Sequence, residues 1–221
     1  MISATAGVTT PQPETFALPT LRFRLPGDWW AVSLRDRDAA LASAKRLVRH
    51  RVGTQDDRAA LRARLVRDFG LAIDEAITGG GQQLLIAIQI VETVPLPITI
   101  AVYLPDLDLV PAIGTRAEAV LDVLEQGLDA REGSDADRTR VDAAGAPAIR
   151  EHRIRVVEAG ADSDRGTIET LVADYWLPVP ARKRVVLVSV STPFAQLQEA
   201  MLQFFDAILR ASYWQSAEGH G

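Results

Sequence analysis

The side chains of a hydrolytic triad occur in the second half of the chain, as His152, Asp174, and Ser189 or Ser191. The segments around them have the pattern of three successive strands, so the side chains could be neighbours across a sheet. Catalysis would need the serine hydrogen-bonded to the histidine, the histidine oriented by the aspartate, and an oxyanion hole nearby. No G-x-S-x-G turn exposes either serine, and a mid-strand serine beneath a helix layer has no room for an acyl group. We therefore predict no catalytic residue.

The glycine-rich stretch ITGGGQ at 77–82 is the one segment that invites comparison with a phosphate loop. Such a loop needs a strand before it, a helix after it and a lysine at its end. Here a helical pattern precedes and a strand pattern follows, and Gln82 stands where the lysine would be. The glycines therefore predict the end of a helix.

Four acidic residues recur at spacings of four, three and four, which places them on one face of a helix predicted over 115–130: Glu118, Asp122, Glu125 and Asp129. Carboxylates in a row suit a hard metal ion such as calcium. The opposite face carries a complete apolar stripe, formed by Val120, Leu121, Leu124 and Leu128. The acids are therefore the solvated side of an amphipathic helix, and we predict no metal site and no cofactor.

Two pairs of adjacent aromatic residues lie in a predicted strand or at its start: Trp29–Trp30 where the 30–35 pattern begins, and Tyr175–Trp176 within 167–177. Neighbouring residues of a strand point to opposite faces, so each pair places one ring on either side of the sheet. Core packing accounts for at least one ring of each pair. An exposed partner ring would be a binding anchor, because Trp and Tyr are enriched at binding hot spots.

A basic stretch at residues 35–67 has ten Arg and Lys against four Asp, although the whole chain carries a net charge of −5. Helical spacing places Arg58, Arg62 and Arg67 away from the apolar face of their helix. They are either a solvated surface or a docking surface for an acidic protein partner, an anionic lipid, or the acidic helix face of a second copy in a homo-oligomer. The acidic whole argues against nucleic-acid binding, which favours a basic domain.

The residues between these motifs predict the elements that position them. Strand patterns occur at 21–26, 30–35, 83–91, 98–104, 148–157, 167–177 and 184–191, and helical patterns at 38–52, 55–78, 115–130 and 194–211. The polar segment 131–140 is expected to be a loop, and WLPVP at 176–180 a turn between two strands rather than a peptide ligand. The last helix should pack on the sheet through Leu197, Met201, Phe204 and Ile208.

Short connections make consecutive strands antiparallel neighbours, and VVLVSVS is apolar on both faces, so layers should cover both sides of the sheet. We predict an α+β fold, a single α/β/α sandwich with a mainly antiparallel central sheet, over residues 20–214. A flexible leader at 1–19 and a flexible tail at 215–221 should flank it.

The N-terminal residues have neither the basic nor the apolar region of a secretory signal, and the longest apolar runs are about five residues long. We therefore expect no transmembrane segment and a cytoplasmic location. The chain has no cysteine, which excludes disulfides and thiolate chemistry.

The stretches LPGDWW, DYWLPVP, VVLVSVSTP and LQFFDAILRASYW resemble a group of actinobacterial proteins of unknown function, most strongly over residues 166–214. In that resemblance Ala181 replaces a glycine. The element order is similar to the PsbP-like α/β/α sandwich of the photosystem II extrinsic protein, a Ran-binding import factor and mycobacterial LpqN-type lipoproteins. The resemblance implies a role in binding or assembly and supplies no catalytic motif. The lipoprotein signal and cysteine of the LpqN type are missing.

These observations favour a non-enzymatic binding or assembly module that acts through protein–protein contacts. The alternative is a small-molecule enzyme or ligand carrier with a cleft near the Trp29/Trp30 and Tyr175/Trp176 pairs. A concave site with converging polar groups would favour the alternative, and a shallow exposed patch would favour the interaction module.

Overall fold

A computed structural model describes residues 18–90, 96–107, 114–130, 137–158 and 167–216. Most of the predicted leader and tail lie outside these ranges. The helices are α1 (Arg37–Val52), α2 (Ala59–Thr78), α3 (Ala117–Asp129) and α4 (Gln198–Ala211). The strands are β1 (Thr20–Arg22), β2 (Asp28–Ser33), β3 (Gly81–Gln89), β4 (Thr99–Tyr103), β5 (Asp137–Ala143), β6 (Ala146–Glu158), β7 (Thr167–Pro178), β8 (Val185–Thr192) and β9 (Tyr213–Gln215).

The central sheet has seven strands in the order β2-β3-β4-β8-β7-β6-β5, and every neighbouring pair is antiparallel. A second, two-stranded sheet joins β1 to β9. The α+β fold and the mainly antiparallel sheet predicted from the sequence are confirmed.

Helices cover both faces of the central sheet, as the alternation of β8 predicts. Val186, Val188 and Val190 belong to the core beneath α4, which also contains Phe205 of that helix. On the opposite face, α1 and α2 pack over β2, β3 and β4, and α3 packs over β6, β7 and β8, where it meets Val185. The architecture is therefore an α/β/α sandwich with three apolar clusters. None of the helices in the described ranges combines the length and apolar character needed to cross a membrane.

Two strands, β5 and β9, were not predicted from the sequence. Residues 137–140, predicted as loop, form the first half of the edge strand β5, and β9 follows α4. The predicted partnership of the first two strands is also wrong, because β1 pairs with β9 and β2 pairs with β3. Gln215, which we expected to begin the tail, is opposite Thr20 in that second sheet.

The packed face of α4 differs in part from the predicted one. Met201 and Ile208 are buried as expected, but Phe205 is fully buried while Phe204 is only half-buried. Leu197 lies before the helix, in a short 3-10 turn, and is 50% exposed. Leu197 therefore does not dock this helix on the sheet.

The WLPVP stretch ends β7 and begins a turn, which confirms the interpretation of its prolines. In that turn the Arg182 amide donates to the Val179 carbonyl at 3.1 Å, and the Val179 amide donates to the Arg184 carbonyl at 2.9 Å. Ala181 has a φ of 55°, the left-handed conformation that glycine adopts at low cost. This is the position where the sequence resemblance has glycine.

Candidate functional site

The Ser-His-Asp residues lie on neighbouring strands but point in different directions. His152 is opposite Ala173, whereas Asp174 is opposite Ser189. Because successive side chains alternate between faces, His152 faces α4 while Asp174 and Ser189 face the other helices. His152 Nε2 lies 3.1 Å from Gln198 Nε2, and Asp174 pairs with Arg153 at 2.6 Å. The three side chains cannot form a triad.

Trp29 and Trp30 lie on opposite faces of β2, as predicted, and each is half-buried against a different apolar cluster. The Trp29 indole N–H donates to the Pro26 carbonyl at 2.8 Å, and that of Trp30 donates to Ser43 Oγ at 3.0 Å. Trp30 also stacks on His50, with ring centroids 6.0 Å apart. Both indoles therefore have their polar groups engaged within the domain.

Tyr175 and Trp176 are 0% and 6% exposed. The Tyr175 hydroxyl donates to Asp206 Oδ1 at 2.7 Å, and the Trp176 indole N–H donates to Glu151 Oε2 at 3.1 Å. Burial and the neighbouring Asp206 carboxylate raise the pKa of Tyr175. The structure thus places this second pair inside the domain, where its rings offer no surface to a partner.

Two of the three predicted binding arginines contact the chain between α1 and α2. Arg58 Nη1 donates to the Val52 carbonyl at 3.3 Å. Arg62 Nη1 donates to the Gly53 and Gln55 carbonyls at 3.2 and 2.6 Å. Cations that bind carbonyls at a helix C-terminus stabilise it. Arg67 does not contact this connection: its side chain is exposed, and its Nε lies 3.8 Å from Asp68 Oδ1.

The acidic face of α3 is engaged by two arginines of β5. Arg140 Nη2 contacts Asp122 Oδ1 at 2.7 Å and Glu125 Oε2 at 2.6 Å. Arg138 pairs with Asp129 and also with the buried Glu151. The Glu151 and Asp129 carboxylates raise the pKa of Arg138. Three of the four acids therefore meet cations of their own chain, which weakens the case for docking the basic stretch of a second copy there.

The structure contains a projecting element that the sequence analysis did not identify. β6 and β7 pair as far as Glu158 and Thr167, but β5 accompanies β6 only to His152, and β8 accompanies β7 only from Leu171. Residues 153–158 and 167–170 thus form a two-stranded extension of the sheet, the β6–β7 arm. Among the described residues, no strand pairs with the outer edge of β6 along this arm.

The β6–β7 arm carries exposed apolar side chains on both faces. Ile154 and Val156 are 47% and 63% exposed on the face shared with α4, and Ile168 is 45% exposed on the opposite face. Ile154 and Val156 share the face of β6 that carries His152, yet only His152 is covered. The signal that could have revealed the arm is the alternation Arg153-Ile154-Arg155-Val156 in a strand longer than its neighbours.

One cavity of the structure lies away from both aromatic pairs. It has a volume of about 540 Å³ and opens between β1 and the ends of β2, β3, β4 and β8. None of Trp29, Trp30, Tyr175 and Trp176 lines it. Within the described ranges, no group of three or more His, Asp or Glu side chains is arranged to hold a metal ion.

The fold and these surfaces define a single α+β sandwich with a projecting sheet edge and an open cavity. No protein-family profile and no curated protein matches the chain. Among solved structures it is similar to LpqN of Mycobacterium tuberculosis, a protein described as involved in cell envelope biogenesis, with 12% identity and a TM-score of 0.42 over 92% of this chain and 87% of that one. At that level the likeness carries no argument about function.

Proposed function

We propose that the protein is a non-enzymatic binding or assembly module that acts through protein–protein contacts, and that the β6–β7 arm is its contact surface. The observation that carries the proposal is the exposure of Ile154 and Val156 beside a strand edge that no described strand pairs with. Exposed apolar residues on a free edge mark interaction sites, because such an edge offers unpaired N–H and C=O groups to an incoming strand.

The charges of the arm favour a particular kind of partner strand. Arg153 and Arg155 point to one face of β6 and Ile154 and Val156 to the other. A strand that alternates acidic and apolar side chains would complement both faces, since opposite charges attract and apolar side chains pack across paired strands. Arg153 is already paired with Asp174, so among the described residues of β6 in the arm Arg155 is the cation left for the partner.

The same charges disfavour a second copy at this edge. Antiparallel pairing of β6 with itself about a two-fold axis perpendicular to the sheet places residues of the same face opposite one another. In the register centred on Ile154, Arg153 and Arg155 would then oppose arginines of the other copy, and like charges directly opposite are destabilising. Arginines on an edge strand are a common protection against such self-pairing. The partner is therefore a different chain with acidic character.

The sequence alone supports two further parts of the proposal, the fold family and the cellular location. The element order supports assignment to the PsbP-like sandwiches, whose members named above act mostly in binding or assembly. The other is the cytoplasmic location expected from the sequence, which remains part of the proposal. A ligand carrier is the second candidate function, favoured by the cavity beside β1.

Site-specific photo-crosslinking in cells of the native host tests the proposed surface. p-Benzoylphenylalanine would replace Val156 in one protein and Leu71, which is 66% exposed on α2, in the control. We expect a discrete covalent adduct from position 156, absent from position 71 and reduced when Arg155→Glu is added. Failure to form an adduct at 156, or equal adducts at both positions that ignore Arg155→Glu, would reject the arm as the contact surface.

A further inference from the structure

The cavity beside β1 has an apolar floor and a polar rim. Its floor includes four buried side chains that are between 1% and 8% exposed: Leu21, Val102, Val179 and Val186. Val102 and Val186 come from the α4 side of the sheet, and Leu21 comes from the small second sheet above it. A volume of about 540 Å³ falls within the range of pockets that enclose small organic molecules. The floor suits the hydrocarbon part of such a molecule.

The rim of the cavity is polar and carries only positive charge. Arg22 and Arg35 stand there with Ser33 and Gln83, and no Asp or Glu is among the described residues that line it. Arg22 Nε donates to Gln215 Oε1 at 2.6 Å, which fixes its guanidinium at the edge of β1. Within the described part of the chain, no hydrogen bond or ion pair engages the Arg35 guanidinium. One cation is thus held in place and another is available.

We infer that this cavity binds an amphiphile with an anionic head group and an apolar chain. The chain would lie on the valines and Leu21, and the head group would meet Arg35 and Arg22. Guanidinium groups bind carboxylates and phosphates through paired, charge-assisted hydrogen bonds. The absence of lining acids among the described residues leaves nothing there that would repel an anion or attract a cation.

This site is separate from the β6–β7 arm. Val186, in the floor, is opposite Leu177 near the end of β7, whereas the arm begins beyond Leu171. The two features lie toward opposite ends of the sheet, so ligand binding and partner binding can be tested independently.

Methyl-resolved NMR titration of the folded protein tests the inference, with Val102, Val179 and Val186 as reporters. Decanoate, kept below its micelle concentration, is the probe. Decanol lacks the charge, decyltrimethylammonium reverses it, and acetate lacks the chain. We expect decanoate to cause saturable shifts of the three valine methyl signals and decanol to bind more weakly. Acetate and decyltrimethylammonium should cause no saturable shift. Arg35→Gln should weaken decanoate binding about tenfold. Arg24→Gln, a nearby arginine that does not line the cavity, should leave it unchanged.

Several results would overturn the inference. One is the absence of saturable valine shifts with decanoate in the wild-type protein, which requires no variant to fold. Another is equal binding of decanoate and decyltrimethylammonium, which would show an apolar pocket without charge selection. Shifts confined to Ile154 and Val156 would place the amphiphile on the arm instead. The first two outcomes leave photo-crosslinking at position 156 unaffected, so this inference and the proposed contact surface can fail independently.

Discussion

The phenol oxygen of Tyr175 lies 2.7 Å from Oδ1 of Asp206, so a side chain in the middle of β7 is hydrogen-bonded to α4. Arg150 Nη1 contacts the other oxygen of the same carboxylate at 2.6 Å. All three side chains lie between the sheet and the helix, largely out of water. Arg150 Nε is buried without a partner among the described residues, but the Tyr175 and Arg150 bonds to one carboxylate tie α4 to the sheet, as buried hydrogen-bond networks do.

Replacing Tyr175 with Phe should destabilise the fold by about 1–3 kcal/mol, because the buried carboxylate of Asp206 loses one of its donors. Urea unfolding monitored by circular dichroism measures the change. The control is Tyr213→Phe, since the Tyr213 ring is 43% exposed and packs under Arg24. A loss as large in the control as at Tyr175 would show that the phenol–carboxylate bond has no special role.

The stability contribution of Tyr175 should also depend on pH. Burial and Asp206 raise the pKa of Tyr175 in the folded protein, while the unfolded value is about 10. The unfolded chain therefore loses this proton first, and the contribution is complete below pH about 10 and falls as the pH rises above it. Urea unfolding of wild type and Tyr175→Phe from neutral pH to pH 11 should show their difference in stability narrowing at the alkaline end. A constant difference would contradict a raised pKa.

Arg138 and Arg140 of β5 should differ sharply in how much each contributes to the free energy of unfolding. Arg138 is 16% exposed and pairs with Glu151, whose side chain is 8% exposed. Arg138→Met leaves that carboxylate buried with one indole donor, and removing one partner of a buried pair costs about 3–5 kcal/mol. Arg140→Met is the matched control, because Arg140 meets only the acids of α3 at the surface, and its loss should be much smaller.

A double variant identifies the cause of the Arg138 effect. Adding Glu151→Gln to Arg138→Met removes the unpaired buried charge while an amide oxygen can still accept from the Trp176 indole. Chemical denaturation should then show a substantial recovery of stability. If the double variant is as unstable as the sum of the single variants, the cost comes from lost packing and not from the buried charge.

The turn between β7 and β8 should be improved by glycine. Ala181 has a φ of 55°, a conformation that costs an alanine about 1–2 kcal/mol. Glycine avoids this cost, but its greater freedom in the unfolded chain offsets part of the gain. Ala181→Gly should therefore raise the free energy of unfolding by about 0.5–1 kcal/mol. Ala130→Gly, at an ordinary φ of −72° after α3, should lower it. Equal effects at the two positions would contradict the conformational explanation.

The sequence could predict the layers of the fold because its patterns are strong where burial is two-sided. Val186, Val188 and Val190 alternate with Val185 and Leu187, and the structure places the two sets under different helices. The segment that forms β5 has no such alternation of apolar residues. Ion pairs of Arg138 and Arg140 hold this strand against β6 and α3. Its polar composition therefore resembled a loop.

Other features depend on distances along the chain that local patterns do not encode. The pairing of Leu21 with Trp214 joins the two ends of the domain, and no periodicity indicates it. Phe204 and Phe205 both lie near the apolar face of α4, so the choice between them follows from how the helix rotates on the sheet. The exposure of Ile154 and Val156 depends on β6 and β7 extending beyond the ends of β5 and β8. The partner and the cytoplasmic location stay predictions.

Residue-resolved amide hydrogen exchange along β6, measured with and without the partner identified by crosslinking at position 156, shows whether that partner adds a strand to the β6–β7 arm. In the free protein, amides from Arg153 to Val156 that point toward β7 should be protected, and the alternate, outward amides should exchange rapidly. In the complex we expect slow exchange at the outward amides as well, because the partner strand accepts their hydrogen bonds. Outward amides that stay fast in the complex while protection appears on another surface, such as α2 around Leu71, would contradict it.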